Sequence, residues 1–362
     1  MKEVQYISNV DNFLIVDKKL YFSNGKEVIG ENGHSILISP LSLQFLNYKE
    51  PYFYIPDIYG NTYLIMENEV RFLKDIFIKD VISDSLLLVS KDKKTAVFDI
   101  KNNEFHYVLN FRIFKFLEWK EKLFFKNKNT IQGIEIYTGQ FLWEFPLSLL
   151  GKHKNPYTDE EKDFEVRRLI GIYNNILWVF LNAKGFIGLD IETGKLKYRI
   201  PEFHQAIGNT STSSYDDSKG FFRSDYLLNS EKGKILGLAV DVFIEIDLTQ
   251  EPPFVTQYGL QEEFEKYNIK KANDTAEDYV IQDNLLYFYL AEQLRFGILD
   301  INTKEIIYVS EPIAVVERDD SFTRLRDLKV SENKVYILDS NHTLHIFERE
   351  KLNFEFLGNS EF

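Results

Sequence analysis

The chain is 362 residues long, contains 31 Phe and 21 Tyr but no Cys, and carries a formal net charge of −13. Without cysteine it can hold neither a disulfide framework nor a thiolate site. Its negative surface repels phosphate backbones, and the sequence shows no basic stripe that would offset this repulsion. We therefore expect no nucleic-acid partner.

Membrane signals are also missing from the sequence. The longest apolar run, from Leu285, has the length of a strand and falls far short of the roughly 20 residues that span a bilayer. Polar residues interrupt the start, MKEVQYISNVDNFLIV, before it could form a signal peptide. We expect a cytoplasmic protein without a membrane partner, although a chain trimmed of its leader would look the same.

Predicted strands begin near the N-terminus. The first 40 residues contain two strand-like segments, FLIV and KLYFS, which could supply the strand that closes a ring against the end of the chain. Residues 52–73 predict a further blade. Five later apolar segments predict strands that are each opened by an Asp, Asn or Gly turn, namely 84–90, 175–181, 233–240, 284–290 and 333–340.

A repeated hairpin follows most of these segments. Its pattern is an apolar residue, an acid, an apolar residue, a polar turn, and an aromatic eight positions after the acid. It is most complete at residues 188–201, where Asp190 and Tyr198 hold the acid and aromatic positions. Alternating side chains on either side of Thr193 and Gly194 predict two strands joined by a tight turn. The acid position recurs, with Phe347 in the last copy, at residues 99, 135, 190, 247, 300 and 347.

Repetition at this spacing is typical of a chain that stacks one supersecondary unit. Apart from the first interval, the copies lie 47 to 57 residues apart, which fits a four-stranded blade plus a connection. We predict an all-β fold, a single β-propeller domain over residues 1–362. It has seven blades of four antiparallel strands, or eight if the N-terminal segment is a blade of its own. The N- and C-terminal segments are expected to close the ring, because an open ring leaves two sheet edges unpaired.

The phrase acid-apolar-x-Thr-Gly-x-x-x-Trp, which ends at Trp143, resembles the repeat of pyrroloquinoline-quinone-type β-propellers. The resemblance covers the repeat units only, and Tyr107, Tyr198 and Tyr308 stand at the Trp position elsewhere. It implies that the aromatic docks on a neighbouring blade. The same repeat builds quinone enzymes and non-enzymatic scaffolds. The enzymes usually carry a vicinal cysteine pair beside the cofactor, which this chain lacks, so we expect a non-enzymatic member without a cofactor.

Candidate catalytic chemistry is sparse in the sequence. There is no glycine-rich phosphate loop, no Gly-x-Ser-x-Gly elbow and no His-Glu-x-x-His. His342 and His345 are three apart on a strand and would point to opposite faces, so we predict no shared metal. The acid pairs at 216–217 and 319–320 lack the spacing of a calcium loop and are interpreted as surface acids. The recurring hairpin acid indicates a structural role, since a catalytic residue would not be expected five times.

Four connections are too long to be simple turns, namely 148–165, 202–229, 258–279 and 311–327. Each follows the aromatic strand of one hairpin and precedes the next blade, so all four are expected to emerge on one face. They contain 20 Asp or Glu and 11 Lys or Arg, a net −9 of the chain's −13. Because long irregular connections are often binding segments, this acidic face is the predicted docking surface.

Side chains in these connections are the predicted contacts to a partner. The alternative interpretation is that the aromatics fold back over the ends of the blades. Residues 260–267 predict a short helix, and Thr158 with Glu161 has capping-box spacing; both are interpreted as local packing devices. The predicted partner-binding residues are Tyr157, Phe164, Tyr215, Asp216, Asp217, Phe221, Phe222, Tyr226, Phe264, Tyr267, Asp319, Asp320 and Phe322.

Two functions are compatible with this pattern. The first is a non-enzymatic binding module, monomeric on its own, that docks a basic partner protein through the acidic, aromatic face. One form of it is an immunity or inhibitor protein that covers a basic toxin. The alternative is an enzyme or small-ligand binder that acts on a sugar or quinone in the central channel. A conserved cluster of inward-facing polar residues at the mouth of the channel would favour the alternative.

Overall fold

The computed structural model describes residues 1–30, 32–66, 69–154, 160–182, 185–210, 226–270, 279–313 and 324–349. Eight β-sheets follow one another along the described chain and form the blades of a single all-β propeller. The propeller prediction is therefore confirmed. The blade count is eight, the alternative to seven, because the N-terminal segment builds a blade of its own.

The first strand, β1 (Lys2–Ser8), belongs to the blade built by the end of the chain, blade 8. Blade 1 consists of β2 (Asn12–Val16), β3 (Lys19–Ser23), β4 (Glu27–Gly30) and β5 (Ser35–Ile38). Blade 2 consists of β6 (Asn47–Lys49), β7 (Tyr52–Pro56), β8 (Thr62–Met66) and β9 (Glu69–Leu73). Blade 3 consists of β10 (Phe77–Val81), β11 (Leu86–Lys91), β12 (Lys94–Asp99) and β13 (Glu104–Leu109).

Blades 4 to 6 carry the additions to the basic plan. Blade 4 consists of β14 (Phe116–Trp119), β15 (Lys122–Asn127), β16 (Thr130–Glu135) and β17 (Phe141–Pro146). A 3₁₀ turn (Leu147–Leu150) and a hairpin of β18 (Lys152–Lys154) and β19 (Glu161–Asp163) follow it. Blade 5 consists of β20 (Val166–Tyr173), β21 (Ile176–Leu181), β22 (Phe186–Asp190) and β23 (Leu196–Ile200). Blade 6 consists of β25 (Leu227–Asn229), β26 (Lys234–Ala239), β27 (Val242–Asp247) and β28 (Phe254–Gly259). A fifth strand, β24 (Gln205–Ile207), pairs in parallel with β28.

The last two blades complete the described chain. The helix α1 (Gln261–Lys266) precedes blade 7, which consists of β29 (Tyr279–Gln282), β30 (Leu285–Leu290), β31 (Arg295–Asp300) and β32 (Ile306–Val309). A 3₁₀ turn at Ala291–Gln293 lies between its second and third strands. Blade 8 consists of β33 (Leu325–Ser331), β34 (Lys334–Asp339), β35 (Thr343–Glu348) and β1. No helix in the described part of the chain is long and apolar enough to cross a membrane.

Two compact units divide the chain, one holding blades 1, 7 and 8 and the other blades 2 to 6. The core of the larger unit lies between successive sheets, where apolar side chains of neighbouring blades meet. The second strands are buried on both faces; all six residues of β21, ILWVFL, are buried. In the fourth strands β13 and β17, by contrast, exposed residues alternate with buried or half-buried ones, as expected where one face is solvated.

The hairpin acids close turns, as the repeat predicted. Asp190 Oδ1 accepts hydrogen bonds from the N–H groups of Glu192 and Thr193, at 3.1 and 2.8 Å. The Thr193 hydroxyl, which also donates to Asp190, holds the pKa of that carboxyl below its ordinary value. Asp99, Glu135, Asp247 and Asp300 accept equivalent bonds from the turns that follow them. The structural interpretation of these acids is confirmed.

The last copy of the repeat needs a correction. Glu348, not Phe347, holds the acid position, because it pairs with Lys334 just as Asp247 pairs with Lys234. Phe347 is instead a core residue that packs on Phe296. The segments FLIV and KLYFS do not close the propeller either; they lie in β2 and β3 of blade 1, and the strand that pairs with β35 is β1.

A buried histidine joins β1 to blade 8. His345 Nδ1 lies 2.8 Å from Glu3 Oε1, and its Nε2 lies 3.1 Å from Asp339 Oδ2. Burial opposes the imidazolium, but the hydrogen bonds to both carboxylates outweigh it and raise the pKa of His345. Asp339 is buried too, yet the bond to His345 lowers its pKa. A protonated His345 therefore bridges the first strand of the chain to the last described one.

We expect the stability of blade 8 to depend on pH through this bridge. A raised folded pKa means that the contribution is complete below the unfolded value of about 6.5 and is lost as the pH rises through the folded pKa. The lowered pKa of Asp339 matters at acid pH, where stability falls as the pH drops below the unfolded value of about 3.9. His345→Gln should cost roughly 1.5 to 3 kcal/mol near pH 6 and flatten the decline towards pH 9. Chemical denaturation at several pH values measures both effects.

The matched control is His342→Asn. His342 Nδ1 lies 2.8 Å from Asp11 Oδ1, but the two side chains are 48% and 36% exposed, so this contact is worth at most about 1 kcal/mol. Asn also tolerates the positive φ of 62° at this position. A decline between neutral and alkaline pH that survives His345→Gln unchanged would contradict the assignment.

Candidate functional site

One edge of each sheet in the larger unit carries all of the connections between blades. Successive strands are antiparallel, so the first strand of a blade begins and the fourth strand ends at the same edge, which we call the connection edge. The turn between the second and third strands returns to this edge as well. For blades 2 to 6 the connections between blades are 74–76, 110–115, 147–165 and 201–226.

Three of the predicted partner-binding aromatics are core residues. Phe164 is 7% exposed and packs in the cluster between blades 4 and 5. Tyr226 is 1% exposed and meets Phe180 and Phe186 edge-on, with ring centroids 4.8 Å away. Phe264 is 2% exposed on the inner side of α1. We remove these three from the docking surface, because rings that stabilise the core are not accessible to a partner.

The other predicted residues divide into two groups. Tyr267 is half-buried, and its hydroxyl donates to the Ile306 carbonyl at 3.0 Å, so it supports blade 7. The remaining predictions lie outside the described residues, namely Tyr157, Tyr215, Asp216, Asp217, Phe221, Phe222, Asp319, Asp320 and Phe322.

One of the two helix predictions is confirmed and the other is wrong. The helix predicted at 260–267 is present as α1, and its Phe264 and the preceding Leu260 are buried, which confirms a packing role. The second prediction is wrong where it can be checked, because Glu161 begins strand β19 and pairs with Lys154. Its other member, Thr158, lies outside the described residues.

Sequence reasoning missed the apolar side chains that the connection edge does expose. Three of them lie in short turns or connections, and the other two, Leu149 and Ile207, lie in long connections where the sequence indicated only aromatic and acidic contacts. Phe114 and Leu149 are 73% and 70% exposed, although Ile113 and Leu150 beside them are buried. Two neighbouring apolar residues in a short connection or turn cannot both point inwards. Such a pair is the sequence signal that predicts an exposed apolar side chain. The exposed residues at this edge of blades 2 to 6 are Ile58, Tyr59, Phe114, Leu149 and Ile207.

Charge varies along the connection edge. Beside blade 5, the exposed acids Glu160, Glu161 and Asp163 lie next to exposed lysines of the same hairpin, and further on Glu262 is exposed in α1. These lysines are Lys152, Lys154 and Lys162. Beside blades 3 and 4, the segments 91–94, 110–115 and 126–129 contain seven Lys or Arg and one Asp. Among the described residues the edge is therefore mixed in charge, with a small excess of acids, at blades 5 and 6, and basic at blades 3 and 4.

A charged network lies on the first strands of blades 2, 3 and 4, which face the centre of a propeller. The Lys49 ammonium lies 3.0 Å from Asp80 Oδ1 and 2.6 Å from Glu118 Oε2. Burial alone would lower the pKa of Lys49, but the bonds to Glu118 and Asp80 raise it. Burial, with Asp80 nearby, raises the pKa of Tyr54 to about 12. These groups satisfy one another and link three successive blades.

Among the described residues, no group of three or more His, Asp or Glu side chains could hold a metal ion. His342 and His345, which the sequence set apart, each face a carboxylate, Asp11 and Asp339 respectively.

The fold places the chain among the β-propellers, a class that commonly serves as a protein-binding scaffold. No protein-family model and no curated protein matches the sequence. Similar solved structures include BamB from Moraxella catarrhalis, at 11% identity and a TM-score of 0.56, covering 96% of this chain and 99% of that one.

Two further structures extend the likeness. Sqt1 from Saccharomyces cerevisiae shares 10% identity at a TM-score of 0.59, covering 97% of this chain and 100% of that one. The computationally designed Ika8 protein shares 12% identity at a TM-score of 0.52, covering 94% of this chain and 96% of that one. At these identities the likeness concerns the fold alone.

Proposed function

We propose that the protein is a non-enzymatic binding module that docks a basic partner protein through the connection edge of blades 5 and 6. The observation that carries the proposal is the exposure of Leu149 and Ile207, 70% and 45%, in the two connections that flank blade 5. Apolar side chains at the centre of an interface supply much of its binding energy. Each of these two is set in a short ordered element, so little freedom is lost on binding.

Charge supports the choice of a basic partner. In the described part of the connection of Leu149, four exposed acids outnumber the three exposed lysines, and the exposed Glu202 lies in the connection of Ile207. The whole chain adds a net charge of −13. Such a surface accelerates encounter with a positively charged partner and disfavours acidic ones.

The more specific form of the proposal is an immunity or inhibitor protein that covers the active face of a basic toxin in the cytoplasm. An acidic surface with apolar anchors is the complement that a cationic, nucleic-acid-binding face requires. The pyrroloquinoline-quinone-like repeat supports a scaffold role, since that repeat also builds propellers without enzymatic activity.

The test is the double variant Leu149→Ser, Ile207→Ser. We expect the wild-type protein to retain a basic partner from a lysate of its native host. With that partner purified, the double variant should bind at least about thirtyfold more weakly, the 2 kcal/mol that marks a hot spot. Raising the salt from about 0.05 to 0.5 M should slow association, because the screening length falls to a few ångströms. Calorimetry and stopped-flow kinetics measure the two effects.

The matched control is Phe141→Ser, Leu196→Ser. These side chains are 56% and 39% exposed at the opposite edge of blades 4 and 5, so affinity should stay unchanged. Recovery of no partner at micromolar concentration, of an acidic partner only, or equal weakening by both double variants would count against the proposal. We base no second function on the inner-strand charges, because Lys49, Asp80 and Glu118 are bonded to one another.

A further inference from the structure

A basic patch lies at the connection edge of blades 3 and 4. Its exposed cations are Lys93, Lys94, Arg112, Lys115 and Lys128. The three segments that carry them hold a net charge of +6 within a chain of net −13. Sequence reading did not detect this patch, because its members are spread over 36 residues and alternate with Asn and apolar residues.

Backbone hydrogen bonds bring the three segments together. The Thr95 N–H donates to the Phe111 carbonyl at 2.9 Å, and the Ile113 N–H donates to the Thr95 hydroxyl at 2.8 Å. The Lys126 N–H donates to the Lys115 carbonyl at 3.1 Å. The cations therefore share one continuous surface on adjacent blades.

An aromatic ring stands among these cations. Phe114 is 73% exposed, while Ile113 beside it is fully buried and fixes the connection. The Arg112 guanidinium lies 4.8 Å from the centre of the Phe114 ring, and the Lys79 ammonium lies 5.7 Å from it. These cation–π contacts hold the ring in place. An apolar side chain of a ligand could pack on this fixed ring, while acidic residues next to it in the ligand pair with the surrounding cations.

The cations crowd one another. Burial, together with the positive charge of Arg112, lowers the pKa of Lys79 to about 8. Lys115 donates to the carbonyls of Val166 and Arg167 and Lys91 lies over the Phe105 ring, so both are occupied within the protein. A neighbouring carboxylate would relieve the repulsion between Lys79 and Arg112.

We propose that this patch binds a carboxylate-rich peptide segment of another protein, with one apolar side chain of the segment packed on Phe114 and its acids paired with Arg112, Lys93 and Lys94. This inference is independent of the proposed function, because it concerns different residues and a partner of opposite charge. A peptide is favoured over a nucleic acid because the patch ends at blade 4. A longer polyanion would continue to blade 5, where the exposed acids outnumber the exposed lysines among the described residues and no net positive charge extends the patch.

The experiment measures fluorescence anisotropy with a labelled peptide of Glu residues around a single Leu. We expect saturable binding at low salt, and at least about tenfold weaker binding, 1.4 kcal/mol, for Arg112→Glu and for the separate double variant Lys93→Glu, Lys94→Glu. Phe114→Ser should weaken this peptide but not an all-Glu peptide. All substituted side chains are exposed, and a thermal melt checks that each variant is folded.

The chain offers a matched control on the opposite edge of blade 4. There Lys120 lies 5.9 Å from the ring of Trp119, a second exposed cation–π pair outside the patch. Lys120→Glu and Trp119→Ser should leave peptide binding unchanged. The proposal is overturned if the Glu peptide does not bind, if a Lys peptide of the same length binds equally, if the control variants weaken binding as much, or if oligothymidine of equal charge binds more tightly than the peptide.

Discussion

Trp143→Ala should lower the free energy of unfolding by about 3 to 5 kcal/mol, as large aromatic truncations in a core do. Trp143 is 6% exposed and stacks on Phe124, and its Nε1–H donates to the Ile191 carbonyl of the next blade at 2.8 Å. Its ring covers Gly194, where a Cβ would come within 2.6 Å of ring atoms. The substitution removes the packing and leaves the Ile191 carbonyl without this donor. Urea denaturation measures the loss.

Trp119→Ala is the comparison for this variant. Trp119 is 38% exposed at the end of β14, so its removal should cost less than about 1 kcal/mol. Equal costs for the two tryptophans would show that Trp143 does not fill the junction between blades 4 and 5.

Tyr226→Ser should also destabilise the protein by about 3 to 5 kcal/mol. The ring is fully enclosed by Phe180 and Phe186 and lies over Gly237, where a Cβ would come within 2.3 Å of it. This reverses the expectation that follows from a docking role, in which the melting temperature would stay unchanged and only affinity would fall. A thermal melt together with urea denaturation distinguishes the two.

Tyr59→Ser provides the exposed counterpart. Tyr59 is 70% exposed in the turn between β7 and β8, and its loss should change stability by less than about 0.5 kcal/mol. A Tyr226→Ser protein as stable as Tyr59→Ser would return Tyr226 to the docking surface.

The repeat predicted the blades because its signal is local. Hairpins such as 188–201 carry the acid, the turn and the aromatic within 14 residues, and each appears in the structure at the expected place. Blade 2 departs from the pattern, with Met66 at the acid position and Arg71 at the aromatic one. The prediction for the end of blade 8 was wrong, because its fourth strand, β1, comes from the other end of the chain. The local sequence carries no signal for the pairing of β1 with β35.

The docking residues were harder to predict for a physical reason. An aromatic ring in a long connection has enough chain around it to reach the core, and Phe164 and Tyr226 do so. A ring in a short connection has no such freedom once its neighbour is buried. Phe114 is held outside by Ile113 in this way. Loop length therefore indicated the right edge of the sheets but the wrong side chains.

Three of the four junctions between blades of the larger unit use one hydrogen bond with different donors; at the fourth, the Tyr198 hydroxyl donates to the Glu251 carboxylate instead. Arg71, Tyr107 and Trp143 each donate from a fourth strand to the backbone carbonyl that follows the acid position of the next blade, at 2.6, 2.7 and 2.8 Å. Every residue type carries that acceptor, so the receiving blade places no demand on the side chain there. The donating blade needs only a long side chain with an N–H or O–H at its tip. Such junctions leave sequences free to diverge while the architecture persists, which accords with shared folds at 10 to 12% identity.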